Sequence, residues 1–419
     1  MLRNTKRPAN AIDEQRLWRR QMELARFGAR PDGGVNRQAL SAEDIAARRQ
    51  LIQWATARGF ACTVDPIGNL FVRRAGRNPD AAPVLTGSHM DSQPAGGKFD
   101  GAYGVMAGLE ALEALEDAGI PTERPIELVA WCNEEGGRFP PGAMGSAAYG
   151  GAQKLDDLLA IRDWEGVTVE AALKSTLAAT PQAALRPLGG KPAAYVEAHI
   201  EQGPLLEAAR TTIGVVTGIQ GAQWYHVEVT GAEAHAGTAP LKTRRDALKA
   251  AIAMIAALEQ LMADETDTVR FTVGRFDVTP NSTNTVPGRV LFTIDFRHPD
   301  ASVLARLGGA LEGVCRSNAR GCEVHVTKTL DMSPIRFDPA IQRQIDATAG
   351  ELGLSRMAIA SGAFHDAKYM NPLCPSGMIF VPCEKGISHN PVENATPGDL
   401  AAGAKVLVEV LVQLAGRAV

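Results

Sequence analysis

The chain has 419 residues, 45% of them hydrophobic, with 43 basic and 47 acidic side chains for a formal charge of −4. This length accommodates one large domain or two ordinary ones with a sizeable core, and the near-balanced charge, with no basic block, excludes the electrostatic footprint of a nucleic-acid binder. No apolar run approaches the ~18 residues of a membrane span, and the polar, Arg-rich stretch from Met1 to Arg20 lacks a hydrophobic signal core, so a cytoplasmic protein is the expectation.

Along the chain, Ala11 to Phe27 and Ala42 to Arg58 carry apolar residues at helical spacing, with Ser41 a candidate N-cap for the second. Phe60 to Val64 and Asn69 to Val72 then read as short strands around an Asp65-Pro66 turn. Pro83 to Thr86, Ile126 to Cys132, Ala193 to Ala198 and Met378 to Pro382 read as buried strands. Gly101 to Ala118 and Asp399 to Leu414 read as helices. Apolar strands separated by helices predict an α/β domain with a mixed, largely parallel sheet flanked by helices.

The middle of the chain has a different pattern. Gly214 to Val216, Trp224 to Thr230, Val269 to Phe276, Arg289 to Asp295 and Glu323 to Lys328 alternate as half-exposed strands, while Arg245 to Met262 and Ala301 to Ala319 are helical. The order β-α-β-β-α-β predicts an inserted, ferredoxin-like α+β domain. Residues 1–212 and 330–419 then form the catalytic domain and 213–329 the insert. The six cysteines form no C-x-x-C pair, and buried or free thiols are expected.

Chemistry-bearing residues recur at the ends of the buried strands. Gly87-Ser88-His89-Met90-Asp91 is followed by the glycine-rich Gly96-Gly97-Lys98-Phe99-Asp100-Gly101. The carboxyl ends of strands in open α/β sheets line the ligand crevice, and Asp91 is placed to accept the second ring N–H of His89, fixing its tautomer. Asn133-Glu134-Glu135-Gly136-Gly137 sets two carboxylates in a turn, one able to ligate a metal while its neighbour takes a proton from water. Glu197-Ala198-His199-Ile200-Glu201-Gln202-Gly203-Pro204 and Gly386-Ile387-Ser388-His389-Asn390-Pro391 complete the set. Each motif alone suits a structural histidine or a solvated acidic turn. Together, three imidazoles and two carboxylates at four strand ends make a donor set for zinc, manganese, cobalt or nickel, with room for a carboxylate shared by two ions. Arg297, at a strand end, could grip a carboxylate in two-pronged fashion, and His365-Asp366 is a further polar pair in a loop. His226, His298 and His325 fall within or beside strands and read as structural.

The stretches GSHMDSQPAGGKFDGAYGV, NEEGGRF, EAHIEQGP, AEAHAGTAP, Asn284–Arg297, SGAFHDA and GISHN resemble the hydantoinase/carbamoylase group of metal-dependent amidases, in matching order from about Ala11 to Leu411. That group holds N-carbamoyl-L-amino-acid amidohydrolases, bacterial-type β-ureidopropionases and allantoate amidohydrolases, within the clan of dinuclear zinc aminoacylases and exopeptidases. The resemblance implies two divalent ions bridged by Asp100, with His89 and His199 completing one site and Glu135 and His389 the other. It further implies that Glu134 is the general base, that Asp91 orients His89, and that His235 stabilises the oxyanion from a lid-like insert, reaching across from a partner subunit of a homodimer. Gln202, Asn284 and Arg297 are implied in binding a substrate carboxylate, and the loop of Ser361, Gly362 and His365 in lining the pocket.

Two positions depart from the pattern: Phe364 stands where the group has glycine, and Met90 where it usually has leucine. The implied reaction is hydrolysis of an N-carbamoyl amino acid, α or β, to the amino acid, carbon dioxide and ammonia. Allantoate amidohydrolase and aminoacylase or dipeptidase activity are the alternatives. The HIEQGP stretch favours the carbamoylase group over ordinary exopeptidases, and WCNEEGGRF and DFRHPD resemble the β-ureidopropionase-like members. A metal-stabilised binding protein without turnover would have no need of Glu134 beside Glu135.

Overall fold

The computed structural model describes residues 7–416. Two compact units separate: one formed by the chain up to Thr217 and from Phe337 onward, the other by Gly218–Arg336.

In the first unit, four strands run side by side and parallel, in the spatial order Ser376–Val381, Ala194–Ile200, Val84–His89, Ile126–Trp131. All four are buried along their whole length, which is why their sequences read as continuous apolar runs and not as alternating ones. Leu70–Arg74 and Ala61–Val64 extend the sheet antiparallel on one side, and Ile213–Ile219 pairs antiparallel with Ser376–Val381 on the other. That last pairing corrects the expectation for Gly214–Val216. These residues belong to the large sheet, and the second unit begins at Gly218.

Helices Glu14–Leu24, Ala102–Ala118 and Pro397–Ala415 bury their apolar residues in one core with the sheet. The first starts at Glu14, not Ala11, because Asp13 caps it by accepting from Arg16 N at 3.0 Å. Ser41 caps Ala42–Ala57 as expected, accepting from Asp44 N. Helices Val169–Ala179 and Pro339–Glu351 and strand Arg356–Ser361 carry weaker patterns and were not anticipated. Among the described residues no helix is long and apolar enough to cross a membrane, and all six cysteines are free and buried.

The second unit is an antiparallel sheet in the order Glu323–Met332, Gly221–Thr230, Arg289–His298, Arg270–Thr272, with Phe276–Thr279 also pairing with Arg289–His298. Helices Ala247–Met262 and Ala301–Ser317 pack their buried residues against it. This is the β-α-β-β-α-β arrangement of a ferredoxin-like sandwich. The single strand expected over Val269–Phe276 is two short ones. The Glu323 strand runs on to Met332 past an irregularity between Lys328 and Leu330.

Candidate metal centre

The carboxyl ends of the four parallel strands bring the distant motifs together. His89 closes one strand, Glu134 and Glu135 follow the next, His199 lies in the third, and His389 lies in the loop after the fourth. Asp100 precedes helix Ala102–Ala118. Gly101, between them, has φ +62°, and a Cβ there would stand 2.3 Å from the His89 ring. Glycine is therefore required for Asp100 to approach the imidazole. Asn133, Gln202 and His389 all hold left-handed backbone conformations with φ of 55°, 56° and 51°. Such strain in non-glycine residues concentrates at functional sites.

Asp100 is the centre of the arrangement. Its Oδ1 lies 3.2 Å from His199 Nε2 and 3.7 Å from His89 Nε2, and its Oδ2 lies 3.1 Å from His389 Nε2. Glu135 Oε2 stands 3.3 Å from His389 Nε2. The ligand atoms of His89, Asp100 and His199 fall within 4.8 Å of one another, and so do those of Asp100, Glu135 and His389. Each trio offers only nitrogen and oxygen donors of the kind that hold divalent cations.

The far ring nitrogens are already committed. His89 Nδ1 donates to the Asp91 carbonyl at 2.9 Å and His199 Nδ1 to the Ile200 carbonyl at 2.8 Å, which turns both Nε2 atoms toward Asp100, that of His199 also accepting from Gly101 N–H at 3.1 Å. The sequence expectation for Asp91 is corrected in one detail. Its backbone oxygen orients His89, while its carboxylate, 3.8 Å from the ring, accepts the backbone N–H groups of Glu134 and Glu135 at 3.3 and 3.1 Å. Asp91 thus fixes the acidic turn as well as the histidine.

The electrostatics fit a cation. Burial, then Asp366 and Glu135, push the Glu134 carboxyl well above its ordinary range, and burial with Asp100 pushes Glu135 up to about 8. Burial holds His89 down to about 4, whereas the hydrogen bond to Asp100 lifts His389 to about 9. A cluster of buried carboxylates that resist ionising together is relieved by positive charge placed among them. A third trio, Glu197, His199 and His365, also lies within ligand range, but its atoms are already used. Glu197 accepts from Ser88, Tyr195 and the Ala367 N–H, and His365 Nε2 bonds Ser361 at 2.9 Å.

Glu134 Oε2 lies 3.6 Å from His89 Nε2, beside the first trio. Gln202, expected to face substrate, instead donates its amide to Asp100 Oδ2 at 2.9 Å and to Ser388 Oγ at 3.1 Å. His365 is 2% exposed, with its ring 4.5 Å from that of His199, so it packs against His199. Ser361 is buried beneath Gly362, which is exposed.

Within the second unit, His235 and Asn284 are neighbours. His235 pairs with Thr285, and the Asn284 carbonyl accepts from Ala236 N at 2.9 Å. Arg297 lies near the far end of Arg289–His298, its guanidinium on Asp295 at 2.8 Å. Two residues that sequence reasoning missed also serve the site. Gln93 donates to Glu135 Oε2 at 2.8 Å, and Glu393 binds the Asp100 loop. Gln93 lies inside a quoted motif, but nothing in its spacing marked it.

The chain matches the sequence profile of peptidase family M20/M25/M40 over residues 85–413. It is 38% identical over 409 residues to an N-carbamoyl-L-amino-acid amidohydrolase of Rhizobium meliloti, spanning 96% of this chain and 97% of that one. It is 35% identical over 413 residues to an allantoate amidohydrolase of Bacillus subtilis, spanning 97% and 98%. Its structure is similar to that of an amidase of the hydantoinase/carbamoylase family from Burkholderia multivorans, with a TM-score of 0.93, 46% identity and coverage of 97% and 99%.

Proposed function

The chain belongs to peptidase family M20/M25/M40, and we propose that within it this hydrolase of amide C–N bonds is an amidohydrolase of N-carbamoyl amino acids. The observation that carries the reading is the pair of ligand trios sharing Asp100, with Glu134 beside them. The full-length similarity to N-carbamoyl-L-amino-acid amidohydrolases supports the substrate class.

In this reading His89, Asp100 and His199 hold one divalent cation, and Asp100, Glu135 and His389 hold a second. When bound, the pair would supply positive charge that acidifies a water and offsets charge developing on the scissile carbonyl. Zinc suits the donors, as do manganese, cobalt and nickel. Glu134 takes the proton of the attacking water and returns it to the departing nitrogen as the bond between that nitrogen and the carbamoyl carbon breaks. The carbamic acid released decomposes to carbon dioxide and ammonia. Asp91 keeps His89 in the tautomer that presents Nε2 and holds the Glu134-Glu135 turn. Gln202 holds Asp100.

The second unit supplies His235 for the oxyanion and Asn284 and Arg297 for the substrate carboxylate. Eight residues separate Arg289 from Arg297 along one strand, roughly 26 Å at ~3.3 Å per residue. In this reading Arg297 and the His235–Asn284 pair are supplied to one substrate by different protomers. This supports a homodimer joined through the second unit.

Allantoate is the second substrate to weigh, because a relative named for it spans the whole chain at slightly lower identity. The test is ammonia release by the metal-loaded enzyme from N-carbamoyl-L-α-amino acids, N-carbamoyl-β-alanine and allantoate measured side by side. Turnover of a carbamoyl amino acid at higher kcat/KM than allantoate is expected. No ammonia from any carbamoyl compound refutes the proposal.

A further inference from the structure

Glu393 lies four residues beyond His389 and is 2% exposed, yet among the described residues no salt bridge holds it. Its Oε1 accepts the backbone N–H groups of Phe99 and Asp100 at 2.8 and 3.1 Å. Its Oε2 accepts from the Ser388 hydroxyl at 2.8 Å. That hydroxyl also stands 3.2 Å from Asp100 Oδ2 and accepts from Gln202. Gly97 makes room for the carboxyl, since a Cβ there would lie 2.1 Å from Glu393 Cδ. A desolvated carboxylate is costly unless donors surround it, and three donors do so here, from two loops 293 residues apart.

We propose that Glu393 is a positioning residue for the metal centre: its carboxylate stitches the loop that carries Asp100 to the loop that carries His389, and so fixes both Oδ atoms of the shared carboxylate for two cations. Asp100 is placed from two sides. Glu393 holds its backbone, and Ser388 and Gln202 hold Oδ2. Without Glu393 the two loops share only the side-chain contacts at the ligands themselves, and the second trio loses its spacing. Groups that orient metal ligands in this way carry about ten- to hundredfold of affinity when removed. The inference rests on the dinuclear reading above.

The experiment is a chelator competition with zinc on metal-free parent, E393A, E393Q and S388A proteins, alongside circular dichroism and steady-state kinetics. The parent is expected to bind two ions; a parent that binds none refutes the dinuclear reading and not the brace. E393A is expected to hold one ion ten- to hundredfold more weakly, with kcat falling at least tenfold and KM staying within twofold. E393Q keeps an oxygen for the two backbone N–H groups and an amide for Ser388, so it is expected to stay within threefold of the parent. E393A binding both ions with parental affinity overturns the proposal, and so does E393Q as weak as E393A. Should E393A not fold, S388A decides. A loss of about three- to tenfold in the weaker ion's affinity supports the brace, and parental affinity overturns it.

Discussion

His389 Nε2 stands 3.1 Å from Asp100 Oδ2 and 3.3 Å from Glu135 Oε2, although 289 residues separate His389 from Asp100 in the chain. Two strands that are second neighbours in the sheet deliver these loops to one place. In the proposed reading this contact lies between two ion sites that share one carboxylate. In the H389A variant, metal analysis of the purified enzyme is therefore expected to find one tightly held zinc instead of two, with kcat reduced at least a hundredfold. Two tightly held ions in H389A would contradict the assignment of the second trio.

Glu134 lies next to the first trio without completing it. In the proposed reading Glu134 moves protons and ligates nothing, which makes it dispensable for metal binding and not for turnover. Glu134→Gln is expected to retain both ions and the parental melting temperature while losing about 10²–10⁴ in kcat. Comparable activity in the variant would remove Glu134 from the mechanism.

Glu113 is fully buried on helix Ala102–Ala118 and gathers Arg16 and Arg20 of helix Glu14–Leu24 with Arg58 at the end of Ala42–Ala57. Deleting its carboxylate takes the acidic partner from Arg20, while Arg16 keeps Glu110 and Asp117 and Arg58 keeps Asp117. Glu113→Ala is expected to lower unfolding stability by about 2–3 kcal/mol, less than the ~3–5 of a fully buried pair because the arginines keep partial solvent access. Urea unfolding of the metal-free protein reads this directly, and an unchanged midpoint would show that the network contributes nothing net.

Burial pushes the thiols of Cys62, Cys315, Cys374 and Cys383 up to about 11 and that of Cys132 to about 12. A raised thiol pKa leaves the proton on at neutral pH, so the reactive thiolate is about one part in 10³ or less at pH 8. The native enzyme is expected to react with less than one equivalent of a disulfide reagent at pH 8 and with six after denaturation. Prompt reaction of two or more native thiols would contradict the packing around them.

The proposed ligands His89, Glu135, His199 and His389 stood out in the sequence because their motifs accompany apolar runs, and buried parallel strands can be read from such runs alone. What those residues touch was not legible. The Gln202 amide donates to Asp100, and no one-dimensional pattern encodes that. His365 sits in a motif that looks like a pocket loop, yet its ring packs against His199. Asp91 was rightly tied to His89 but through its backbone oxygen, since the chain turns and carries the carboxylate toward Glu134. Glu393 escaped notice because two of its three partners are backbone N–H groups in a loop far away in sequence, which carry no residue signature. In the second unit the order of elements was legible from alternation, whereas the division of Val269–Phe276 into two short strands was not.

The most direct test of the account is ammonia release from N-carbamoyl-L-amino acids as metal-free enzyme is titrated with zinc or manganese. The account predicts negligible release without metal and a rise that saturates at two ions per chain. Full activity in the metal-free enzyme, or saturation with no release from any carbamoyl amino acid, would contradict it.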